Sequence, residues 1–100
     1  MAELHAEIDA LLTGSVSDLA RIERTLTDGY AHALTIEAEN WRLEKQIAEV
    51  THGIDRGDAA ALVRELSTLT RRRDGNADAL TRLRARLADL RRHLDGVRSR

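Results

Sequence analysis

One hundred residues with a net charge of −1, no cysteine, no proline and only two aromatics leave room for one domain of long helices, and little for a rounded aromatic core. The missing cysteines exclude a disulfide framework, a thiol nucleophile and a thiolate zinc site. No apolar run approaches the ~18 residues of a membrane span, and the start lacks a signal peptide's basic and apolar regions, so a soluble, cytoplasmic protein is expected.

The first predicted helix covers residues 2–12, with Leu4, Ile8, Leu11 and Leu12 as its apolar face. Gly14 suits its C-terminus, and Ser15 or Ser17 can cap the next start. Asp18 then lies in the first turn of the second helix, where a carboxylate favours the positive end of the dipole. That helix is expected over residues 17–51, followed by a turn over 52–58 that holds Gly53 and Gly57. Asp58 is a good N-cap for a third helix over residues 58–96. Asp74-Gly75 inside it has the local chemistry of a turn. The apolar phase passes through unbroken, however, so one continuous helix is expected.

That phase is the strongest signal in the chain. Leu19, Ile22, Leu26, Gly29, Ala33, Ile36, Asn40, Leu43, Ile47, Val50 and Ile54 step by alternating threes and fours along the second helix. Leu62, Leu66, Leu69, Arg73, Asn76, Leu80, Leu83, Leu87, Leu90, Leu94 and Val97 do the same along the third. Such spacing keeps one seam of a helix against a partner. A short connection makes the two helices antiparallel neighbours. Setting Ile54 opposite Leu62 then places Asn40 in one layer with Asn76, Leu43 with Arg73, and the small Gly29 and Ala33 against Leu87 and Leu83. A one-heptad slip would set Asn40 against Leu69 and strand its amide, at about 1–3 kcal/mol.

Charge follows the same pairing. Residues 1–50 hold ten acids against Arg21, Arg24, Arg42 and Lys45, whereas residues 71–100 hold ten arginines against Asp74, Asp78, Asp89 and Asp95. Antiparallel pairing brings Glu23 near Arg91 or Arg98, Glu37 near Arg84, Asp18 near His93 and Glu39 near Arg72. The arginines are thus absorbed as an internal charge code. Nucleic-acid binding is disfavoured, with Arg92, Arg98 and Arg100 left as a weak basic tip.

Tyr30, Leu34 and Trp41 fall beside the seam of the second helix and mark a candidate partner interface, because exposed Tyr and Trp dominate binding hot spots. The competing expectation is that the first helix folds back and covers part of this stripe with Leu4, Ile8 and Leu11. Asn40 and Asn76 form a register-setting polar layer. Neighbouring Arg71, Arg72 and Arg73 could instead hold a nucleotide or another anion, since arginine forks suit phosphate. His5, His32, His52 and His93 are too scattered for a metal site. No nucleophile motif or glycine-rich phosphate loop is present.

Two helical families of similar size are excluded by their own motifs. WXG-type secreted hairpins carry Trp-x-Gly in the turn, whereas the single tryptophan here opens Trp41-Arg42-Leu43. All-helical chorismate mutases need several converging Arg and Lys, which the first helix lacks. The expectation is an all-α, non-enzymatic assembly protein without a cofactor. Its fold would be a long antiparallel coiled-coil helical hairpin with a short N-terminal helix, dimerising into a four-helix bundle or binding another protein.

Overall fold

A computed structural model describes residues 1–13, 18–53 and 57–99 of the chain. It is all-helical, with α1 over Ala2–Thr13, α2 over Leu19–Gly53 and α3 over Ala59–Arg98, and no strand occurs among the described residues. Gly14, Ser15, Ser17, Ile54 and Arg100, which the sequence reading used as a stop, caps, a seam layer and part of the tip, lie outside the described residues.

Local chemistry accounts for the helix ends. Asp58 Oδ1 accepts from the backbone N–H of Ala60 at 3.1 Å and of Ala61 at 3.3 Å, meeting donors that the first turn of α3 leaves without helical partners. Asp18 does the same for α2, accepting from Arg21 N–H at 3.2 Å. Asp18 is therefore the cap itself, not a first-turn residue, and its carboxylate is engaged at the helix start. Downstream, α2 runs on through His52 to Gly53, and α3 continues past Gly96 to Arg98. Between them, α3 passes through Asp74-Gly75 without interruption. No glycine among the described residues has positive φ, so the helical phase overrides the local turn signal.

The chain divides into two compact units, residues Met1–Leu34 with Thr81–Arg100, and residues Thr35–Leu80. In the first, all three helices contribute to one core. Ile8 and Leu11 come from α1, Ile22 and Leu26 from α2, and Leu83, Leu87, Leu90 and Leu94 from α3, all buried. Each such side chain contributes roughly 1.5–3 kcal/mol of transfer free energy. Within this unit α2 and α3 run antiparallel, since Glu23 Oε1 accepts from Arg98 Nη2 at 2.6 Å while Gly29 lies against Leu87 further along. Leu19, expected in the seam, is instead exposed at the first residue of α2.

Polar contacts fix α1 to both long helices. Arg21 donates through Nε and Nη2 to the two carboxylate oxygens of Glu7, at 2.6 and 3.0 Å, the fork geometry that suits arginine to carboxylate. On the other side Arg86 donates to Asp9. The Arg21 hydrogen bond, with the guanidinium charge, holds the Glu7 carboxyl below the usual carboxylate range.

The second unit is built from the remaining halves of α2 and α3, and its core is thinner. Leu43 and Leu69 are buried, but Ile36, Ile47, Val50, Leu62, Leu66 and Leu80 are only half-buried. Two helices share a single seam and leave its flanks open, which a third element covers in the first unit. Arg72 donates to Glu39 at 3.4 Å across this pair, between the two residues that the charge pattern brings together.

Glycine positions separate two effects. A Cβ on Gly29 would sit 2.3 Å from Leu87 Cδ2, whereas nothing lies within 4 Å of one on Gly75. Gly75→Ala should stabilise the fold by about 1 kcal/mol through helix propensity. Gly29→Ala gains the same propensity but overpacks a side chain that is 1% exposed, at ~1–3 kcal/mol. The first variant should therefore melt above the parent and the second at or below it, by circular dichroism.

Acid titration tests the attachment of α1. A depressed carboxyl stabilises the fold at pH above its unfolded value, and that contribution is lost as pH falls through the folded value. Glu7→Gln should flatten the acid limb of a plot of melting temperature against pH. An acid limb identical to the parent's would show that the Glu7–Arg21 pair contributes nothing to stability.

Candidate interaction surface

The residues singled out as a partner interface divide between the two units. Tyr30 and Leu34 belong to the first, where they are 45% and 65% exposed. Trp41 belongs to the second and is 61% exposed. In the unit that holds α1, Tyr30 and Leu34 stay exposed. The buried face of α1 is used elsewhere, and α1 lies along another flank of α2. A cleft of about 440 Å³ there is lined by Leu4 and Glu7 from α1 and by Thr25, Asp28 and His32 from α2. Thr25, 5% exposed, is buried on that flank. The spacing of Arg21, Thr25, Asp28 and His32 carried a weak signal of it, since they step by fours and threes beside the apolar seam.

The second unit has its own apolar surface. Trp41 carries the Lys45 ammonium 4.6 Å from its ring centroid, an attraction of about 0.5–1 kcal/mol at an exposed site. On α3, Val63 is 53% exposed and opens a shallow groove of about 380 Å³ with Leu66, Ser67, Thr70, Arg71 and Asp74. An exposed tryptophan and a shallow groove edged by Arg71 and Asp74 are features common in protein interfaces.

Asn40 and Asn76, also in this unit, are half-buried. Asn40 Oδ1 and Asn76 Nδ2 are buried with no hydrogen-bond partner in the protein. One is an acceptor and the other a donor, the complementary halves of an amide–amide bond. Each costs roughly 1–3 kcal/mol while unpaired. The three consecutive arginines do not converge on one anion site. Arg72 is taken up by Glu39 and Arg73 by Asp74 at 3.2 Å, while Arg71 lines the groove on α3. At the far end of α3, Arg98 is paired with Glu23 and Arg92 with Asp89, so the expected basic tip is largely neutralised.

No group of three or more His, Cys, Asp or Glu residues able to hold a metal ion occurs among the described residues, and no helix there is long and apolar enough to cross a membrane. No protein-family model, curated protein or solved structure matches the chain.

The polar pair yields a mutational test. Replacing Asn40 and Asn76 together with leucine should raise the melting temperature by several degrees, roughly 4–8 °C per kcal/mol gained, while loosening helix register or oligomeric state. A double variant that melts lower and keeps a single state would show that the asparagines do not share a layer.

Proposed function

We propose that this chain is a non-enzymatic assembly protein that acts through helix–helix contacts, with a second copy of itself as its first partner. The single observation that carries the reading is the exposure of Tyr30, Leu34 and Trp41 on a chain whose other large apolar residues are mostly withdrawn from water. Tyrosine and tryptophan supply large contact areas at low conformational cost, so leaving them open stands as an interface rather than as loose packing. The proposed architecture is an antiparallel coiled-coil hairpin of α2 and α3, set in register by Asn40 and Asn76 and dimerising into a four-helix bundle. A scaffold, adaptor or regulator would all use such a module.

A ligand-responsive regulator holding an anion at Asn40, Asn76 and Arg71–Arg73 has weaker support. Two of its three arginines already pair with carboxylates, and each pairing must break before an anion could enter.

Molar mass by light scattering on a sizing column tests the proposal, across a roughly hundredfold concentration range because mass action governs assembly. The expected result is a species of about twice the 11.2 kDa chain mass, shifted toward the monomer by Tyr30→Glu or Trp41→Glu. A monomer at every concentration overturns self-assembly.

A further inference from the structure

We propose that the cleft between α1 and α2 in the first unit is a binding site for a short aliphatic primary amine. The ammonium is held by the Thr25 hydroxyl and the Asp28 carboxylate, with Glu3 on the facing wall. The site is separate from the assembly surface proposed above and does not depend on it.

Its walls come from two antiparallel helices. Glu7 of α1 meets Arg21 of α2. From there the cleft runs back to Met1 along α1 and forward from Thr25 to His32 along α2. Its volume of about 440 Å³ falls within the roughly 300–1,000 Å³ of small-molecule sites. Between Thr25 and His32 the helix rises ~10 Å, room for an ammonium and a chain of a few carbons.

Thr25 brings a buried polar group that the protein leaves unsatisfied. It is 5% exposed and lines the cleft, yet its hydroxyl makes no hydrogen bond among the described residues. The hydroxyls of Thr27, Thr51 and Thr68, by contrast, each donate to the carbonyl four residues earlier. A hydroxyl oxygen has two lone pairs with which to accept, and an alkylammonium carries three donors.

Charge selects a cation. Glu7 is already engaged by Arg21. Glu3, in the first turn of α1, offsets the positive end of that helix. Asp28 lies one turn beyond Thr25 on the same face of α2, lines the cleft and has no ion pair among the described residues. Its carboxylate is the counter-charge. The cation is organic rather than a bare metal, since no group of three or more His, Cys, Asp or Glu residues able to hold a metal ion occurs among the described residues. Leu4 and Ala31 line the same cleft and give the alkyl chain an apolar wall.

Titration of the isotope-labelled full chain with n-butylamine, followed by nuclear magnetic resonance at constant pH and ionic strength, tests the site. The expected result is a saturable change concentrated at Leu4, Thr25, Asp28 and His32. Butan-1-ol, which lacks the charge, and tetramethylammonium, which lacks N–H donors, should leave those residues unmoved at the same concentrations. Asp28→Asn and Thr25→Val should each weaken binding by ~10-fold or more, the loss expected for one charge-assisted hydrogen bond. Circular dichroism checks that each variant folds. Asp28 is exposed, so Asp28→Asn decides alone if Thr25→Val does not fold. A change that never saturates, that tetramethylammonium reproduces, or that either folded variant leaves intact overturns the proposal.

Discussion

In the first unit α2 and α3 meet at a position of α2 that has no side chain. At Gly29 a Cβ would meet Leu87 at well below van der Waals distance, so the leucine occupies the space a larger residue would fill. Leu87 is buried, in line with Leu83, Leu90 and Leu94 on the same face of α3. With the seam closed, α1 lays Ile8 and Leu11 against the pair and completes a three-helix core. Dispersion and apolar burial supply most of the stabilisation here. The exposed ion pairs Glu7–Arg21, Asp9–Arg86 and Glu23–Arg98 chiefly orient the helices.

The second unit solves the same problem with fewer parts. It is built from α2 and α3, and it holds Asn40 Oδ1 and Asn76 Nδ2, buried with no hydrogen-bond partner in the protein. Exposed Trp41 and Val63 occur in the same unit as the unpartnered amide atoms of Asn40 and Asn76.

Helical periodicity made most of the helices and seam legible in the sequence, because each seam residue repeats one physical requirement every three or four positions. Complementary charges likewise anticipated Glu23 with Arg98 and Glu39 with Arg72. The flank chosen by α1 was not legible, since a short amphipathic helix fits any apolar side equally well on pattern alone. What settles it are Glu7 with Arg21 and Asp9 with Arg86, pairs separated by 14 and 77 positions, which no local window contains. The role of Asp18 was missed for a different reason. Asp18 and Ser17 are both good caps, and one residue of boundary position decides between them. The exposure of Tyr30, Leu34 and Trp41 was legible because their heptad positions fall outside the seam.

The two units also differ in how they are drawn from the chain. Residues 35–80 form one continuous stretch around the bend, whereas the other unit joins residues 1–34 to residues 81–100. The continuous unit can zip up through near neighbours in sequence, at a small loop-closure cost. The better-buried core must wait for the two ends of the chain to meet. During synthesis, α1 and the first half of α2 emerge long before Leu83, Leu87, Leu90 and Leu94, the residues that cover their apolar faces. Folding is thus easiest to begin in the part with the thinner core. Residues 1–34 are an amphipathic surface that the last turns of α3 complete.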